Sequence, residues 1–265
     1  MEKFNWNRFG ALAKWTYYAE QKSFIKMTSI LFFCLFAIFE INSIGNANTN
    51  GLVVSSIFTF FTMQIVGASL NFASMKEKED RVTYLMIPAS NLEKYIMRFL
   101  YVTLGFAISF LIALLTADVL RIIFLLISGH GICGSVFIEF FKSLFNSTIF
   151  ANHVWINGQS VSQVMYPLAM FLTLCCAWFH SIYLLGGSFF RRNAWLFTTI
   201  SMILGGIIFG WVVSVLPYEN FNLNDHDTVA YIFSVIFIVL IIFNYYASYK
   251  LFTRMQVINN KWTNV

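Results

Sequence analysis

The sequence predicts an all-α polytopic membrane protein with six transmembrane helices. An N-terminal interfacial helix precedes them, and outer-side half-length helices follow the third span. Three observations lead there. Hydrophobic residues make up 58% of the 265 residues and charged residues only 11%, whereas a soluble domain carries roughly 25% charged. Apolar runs of about 20 residues, enough to cross a ~30 Å hydrocarbon core as helix, recur along the chain. The net charge of +5 is unevenly placed between those runs, so it supplies an orientation as well as a count.

The first element is basic and aromatic. Over residues 1–22, Lys3, Arg8, Lys14 and Lys22 stand among Phe4, Trp6, Phe9, Trp15, Tyr17 and Tyr18. Helical spacing groups Phe4, Phe9, Leu12 and Trp15 on one broad face, which suits a helix lying in the headgroup plane. A disordered basic tail is the alternative. The first span covers about 24–43, with Lys26 at one end and Glu40 near the other. A Gly- and Asn-rich turn over 45–51 leads to the second span, about 52–73. A polar connection over 74–98 precedes the third span, about 99–117.

Residues 118–163 are the hardest to place. Asp118 and Arg121 read as the end of the third span, yet 119–126 is apolar again until Gly129-His130-Gly131. A second short apolar piece, 136–145, is interrupted by Glu139 and Lys142. Neither is long enough to span alone. Both read as helices that cap or dip into the outer leaflet, followed by a polar loop over 146–163, with a seventh span as the competing reading. The remaining spans are about 164–187, 195–217 and 229–249, separated by Arg191-Arg192 and by an acidic loop with Glu219, Asp225 and Asp227.

Charge placement decides between the readings. With both termini, the 74–98 connection and Arg191-Arg192 on one side, that side holds 15 of the 17 Lys and Arg, leaving Arg121 and Lys142 opposite. The positive-inside rule makes that side the cytoplasm. An added span would strand Arg191, Arg192 and the C-terminal basic residues on the wrong face. The expectation is therefore a single transmembrane domain over 1–265, six spans and both termini cytoplasmic.

The 74–98 connection carries the clearest local signal. Ser90 is a good N-cap, and Glu93, three residues on, can reach back to the Ser90 backbone N–H, which is a capping box. Pro88 keeps Ile87 out of the α region and so separates this helix from what precedes it. Leu92, Ile96 and Phe99 continue on one stripe into the third span. A structured polar connection between two spans offers something to be touched from the cytoplasm. The opposite reading is a solvated connection with a well-capped helix and no partner.

Catalytic signatures are few. The chain has neither an H-E-x-x-H zinc helix nor a G-x-x-x-x-G-K-[ST] nucleotide loop. Gly186-Gly187-Ser188 and Ser128-Gly129-His130 are fragments of hydrolase and lipid-phosphatase signatures without their partner motifs. Cys34, Cys133, Cys175 and Cys176 lie in or beside apolar runs and read as packing residues. No metal, cofactor or nucleic-acid site is expected. Within the spans, polar residues are functional candidates by default; His180 is the most notable, with a packing histidine the favoured reading over a proton relay.

The run Arg81-Val82-Thr83-Tyr84-Leu85-Met86-Ile87-Pro88-Ala89-Ser90-Asn91-Leu92-Glu93-Lys94, together with Phe252-Thr253-Arg254-Met255-Gln256-Val257-Ile258 near the end, resembles bacterial membrane subunits of type-2 ABC transporters, the exporter-like permeases, those of Bacteroidetes especially. The order of parts is similar throughout. The resemblance implies a permease of the bacterial inner membrane, paired with a second copy or a similar permease and docked to a separate ATPase. It makes the 74–98 loop the coupling element, with Arg81, Tyr84, Pro88, Ser90, Glu93 and Lys94 as docking residues. One departure stands out: the family's outer re-entrant helices lie between its fifth and sixth spans, whereas here the extra apolar pieces follow the third. Two other readings stay open. One is a non-transporting accessory or immunity protein that binds another membrane protein. The other is a lipid-modifying enzyme using His130 or His153.

Overall fold

An apolar segment in lipid has to satisfy its backbone internally, which favours helix, and helices carry most of this chain. The computed structural model describes residues 4–45, 49–72, 75, 78–129, 134–145, 151–156, 159–164, 166–190, 192–215 and 226–254. Among them are α1 (Trp6–Gly45), α2 (Thr49–Ser69), α3 (Lys78–Met86), α4 (Asn91–Leu100), α5 (Phe106–Ile127), α6 (Val136–Phe145), α7 (Tyr166–Phe189), α8 (Ala194–Val215) and α9 (His226–Thr253). A π-helical turn, Tyr101–Gly105, joins α4 to α5. Strands β1 (Ala151–Ile156) and β2 (Gln159–Val164) pair antiparallel, with Ala151 opposite Val164 and Ile156 opposite Gln159.

Five helical runs among the described residues are long and apolar enough to cross a membrane: Trp6–Asn42, Thr49–Ser69, Asn91–Ile127, Met170–Phe189 and Tyr231–Thr253. This is a multi-pass membrane protein. A shorter apolar stretch, Ala194–Ile208, lies in α8.

Several expected boundaries are corrected. The interfacial helix and the first span are one helix, α1, because the basic residues around Lys22 do not interrupt the backbone as Pro would. At 1.5 Å per residue its 40 residues reach about 60 Å, twice the ~30 Å hydrocarbon core. Asp118 and Arg121 do not end the helix of the third span. They lie inside α5, so 119–126 continues that helix, and only 136–145 forms a separate short one. Part of the expected polar loop over 146–163 is the β1–β2 pair. Expectations resting on His130, Cys133, Arg191, Glu219, Asp225 and the tail beyond Arg254 lie outside the described residues, as does the His153 side chain.

The chain divides into two compact units, each described by itself. The unit made of 10–64 and 103–165 has a core of helical stripes: Leu31, Leu35 and Phe39 of α1, Val53 and Ile57 of α2, Phe110, Ala113, Leu114 and Ala117 of α5, and Val136 and Phe140 of α6. Spacings of three and four put each set on one face of its helix.

The other unit, 1–9, 65–102 and 166–265, gathers Ala68, Phe72, Tyr84, Tyr95, Val102, Leu184 and Phe252. Phe72 stacks on Phe252 with ring centroids 5.4 Å apart. Two glycines let α7 approach its neighbours closely. A Cβ on Gly187 would lie 2.7 Å from the Ser69 carbonyl oxygen, and one on Gly186 would collide with the Thr198 side chain.

Candidate functional site

The site is built on the hairpin of α3 and α4. Pro88 has no backbone N–H to continue a helix, so α3 stops at Met86 and α4 begins at Asn91. Ser90 has extended backbone angles (φ −68°, ψ 154°) and its Oγ accepts the Glu93 N–H at 3.3 Å. Glu93 Oε2 accepts the Ser90 N–H at 2.9 Å, which completes the capping box.

Glu93 does more than cap its own helix. Its other oxygen, Oε1, accepts the Asn5 backbone N–H at 2.8 Å and an Arg8 Nη2–H at 3.2 Å. Asn5 is the N-cap of α1, since its Oδ1 accepts the Asn7 N–H at 2.9 Å. Arg8 occupies the third helical position, where a capping box would carry Glu or Gln. The carboxylate missing there arrives from 85 residues along the chain, and Arg8 holds it. One buried carboxylate therefore caps the starts of two helices.

The rest of the hairpin is knitted by side chain and carbonyl. Lys94 Nζ donates to the Leu85 carbonyl at 2.8 Å, so its cation closes the C-terminal end of α3, where the helix dipole favours positive charge. Tyr84 OH donates to the Lys94 carbonyl at 2.8 Å, and the Arg98 guanidinium lies 4.7 Å from the Tyr84 ring centroid. At that distance the ring quadrupole attracts the cation.

Of the six residues proposed from sequence, Arg81, Tyr84, Glu93 and Lys94 are buried, Ser90 is half-buried and Pro88 is exposed. Met86, Asn91 and Leu92 are exposed with Pro88. The charged residues thus organise the hairpin from inside, and its outward tip is formed by residues of little charge. Of the residues that the resemblance singled out, Pro88 lies at that tip, while Arg81, Glu93 and Lys94 belong to the frame.

A second polar node went unrecognised in the sequence. Within α5, Asp118 Oδ1 accepts Arg121 Nε–H at 3.2 Å and Nη2–H at 3.0 Å, with both side chains almost wholly buried. Asp118 Oδ2 accepts Ser135 Oγ–H at 2.7 Å and the Phe137 N–H at 3.1 Å, and Arg121 Nη2 donates to the Gly134 carbonyl at 2.6 Å. Asp118 thereby caps the start of α6. The one available signal was a charged i,i+3 pair inside an apolar run.

His180, half-buried, sits in a polar seam along α7 and α9. Its Nδ1 lies 3.1 Å from Tyr245 OH, and Phe99 meets its ring edge-on with centroids 6.2 Å apart. Asn244 Nδ2 donates to Ser181 Oγ at 3.0 Å, and the Ser188 and Ser248 hydroxyls share a hydrogen bond. These are helix-to-helix contacts of the kind that join membrane helices. Among the described residues, no three His, Cys, Asp or Glu gather as a metal site. No family model, no curated protein and no solved structure matches this chain.

Proposed function

We propose that the chain is the membrane-spanning permease subunit of an ATP-driven ABC exporter of the bacterial inner membrane, working with a separate ATPase docked on the 74–98 segment and with a second permease subunit. In this reading α8 is a sixth crossing, both termini are cytoplasmic, and α6 is a half-length outer helix of about 15 Å.

The observation that carries the reading is the mechanical build of the α3–α4 hairpin. Its tip residues Met86, Pro88, Asn91 and Leu92 are exposed, while a buried carboxylate and two buried cations fix its frame. The hairpin also opens the unbroken helical run Asn91–Ile127. A partner that binds the tip differently in two nucleotide states would bias two conformations of that run, which is what energetic coupling requires.

The test is affinity purification from the native host in mild detergent, comparing wild type with a Met86→Lys, Leu92→Lys variant. Both residues are exposed, so the variant keeps the hairpin. The expected result is an ATP-binding protein recovered with wild type and depleted at least about tenfold in the variant, as about 1.4 kcal/mol of lost contact would give. Recovery of no nucleotide-binding protein from either sample would sink the permease reading. A non-nucleotide-binding membrane partner in its place would favour the accessory-protein reading.

A further inference from the structure

We propose that an anionic phospholipid binds in the groove formed by α7, α8 and α9, with an acyl chain along the groove and its phosphate at Arg192 and Arg254. The groove holds about 420 Å³, within the roughly 300–1,000 Å³ of small-molecule sites. Phe189 and Phe190 of the α7 end, Thr198 of α8, and Phe243, Ala247 and Leu251 of α9 line it. Phe189 and Phe243 are exposed, so it is open to the side.

Its polar groups are already spent. Thr198 Oγ1 donates to the Ala194 carbonyl at 2.7 Å, and Ser201 Oγ donates to the Phe197 carbonyl at 2.8 Å. Nothing along the groove asks for a hydrogen bond, so its occupant is a hydrocarbon there.

One end differs. Phe190 and Thr198 flank the corner that carries Arg192, and Asn193 turns that corner with a positive φ of 49°. On α9, Phe243, Ala247 and Leu251 recur at four-residue steps, and Arg254, three further on, extends the same stripe just past the groove. Arg192, Lys250 and Arg254 are all exposed, with Lys250 Nζ 5.5 Å from the Tyr246 ring centroid. α7 and α8 contain no carboxylate, and the one in α9, Asp227, is at its opposite end. An apolar groove ending at exposed cations fits a lipid with a hydrocarbon tail and a negative headgroup. A second copy of the chain would bring an apolar helix and leave the arginines unanswered. The proposal stands apart from the permease reading, because it needs only a membrane-embedded chain.

The test uses the full-length protein, delipidated in detergent, titrated with phosphatidylglycerol or with phosphatidylcholine of identical chains, and read by native mass spectrometry. Wild type should retain phosphatidylglycerol preferentially. A surface cation contributes about 1 kcal/mol to anionic-lipid binding, so Arg192→Gln and Arg254→Gln should each lower its retention about fivefold and leave phosphatidylcholine unchanged. Ala247→Trp, which fills the groove, should lower retention of both lipids, with the thermal midpoint confirming that the variant is folded. Equal retention of the two lipids by wild type overturns the proposal. So does wild-type retention by the doubly substituted arginine variant, whose exposed positions keep the fold. A loss of dimer in Ala247→Trp with lipid retention unchanged would assign the groove to a second copy and overturn it as well.

Discussion

Each of the two units is tied by a carboxylate paired with an arginine, and the two pairs solve the same problem differently. Glu93 with Arg8 and Asp118 with Arg121 each cap the start of a helix other than the one that bears the acid. In the first pair the partners are 85 residues apart and Arg8 is about a third exposed. In the second they share a helical turn and are almost wholly buried. A buried ion pair is costly to desolvate and is tolerated when its remaining hydrogen-bonding capacity is used. Asp118 meets that condition with four acceptor contacts, through Arg121, Ser135 and Phe137. The comparison separates a latch on the edge of its unit from one sealed inside the other.

The largest expected effect falls on the sealed pair. Asp118→Ala leaves Arg121 charged and buried, and the unfolding midpoint in detergent should report a loss of about 3–5 kcal/mol. Asp118→Leu with Arg121→Leu should recover much of that, because no charge then remains to bury. A double-variant loss equal to the sum of the two single-variant losses would show that the two residues are not coupled.

Glu93 should give an intermediate effect. Glu93→Ala removes acceptors from Ser90, Asn5 and Arg8 together and should cost about 2–3 kcal/mol, in the range for charge-assisted hydrogen bonds. Glu93→Gln keeps one acceptor oxygen and so can serve one helix start, but its amide NH2 then faces the N–H donors of the other, so it should cost about 1–2 kcal/mol. Indistinguishable losses would mean that charge rather than capping dominates, erasing the contrast with Asp118. Ser90→Ala, which touches one helix start only, should be mildest, at about 0.5–1 kcal/mol. A loss larger than that of Glu93→Ala would reverse the assignment of Glu93 as the shared cap.

How much of this was legible follows the range of the interactions. The capping box is a local pattern, Ser90 and Glu93 three apart behind Pro88, and it was read from sequence alone. Long apolar helices announce themselves by length, which is why the membrane class was readable. Asp118 was misjudged because a charge in an apolar run looks like a boundary when the groups that satisfy it, Ser135 Oγ and the Phe137 N–H, lie 17 and 19 residues on. The continuity of α1 was missed for a related reason: Lys22 and Lys26 mark a change of solvent, whereas only the backbone decides where a helix stops. The inward turn of Lys94 goes with its bond to the Leu85 carbonyl across the hairpin, and no spacing rule encodes that. The hook from Asn5 and Arg8 to Glu93 left one faint trace, an arginine where an N-terminal helix turn would prefer an acid.

That hook has a consequence for how the chain is made. Arg121 follows Asp118 off the ribosome within a single helical turn, so their charges meet as soon as α5 coils. Arg8 must wait for Glu93. At roughly 5–20 residues per second of synthesis, the 85 intervening residues take on the order of ten seconds. Throughout that interval the first turn of α1 lacks the carboxylate that will cap it, and a chain released before residue 93 never acquires it. The first turn of α1 is thus translated long before the residue that fastens it.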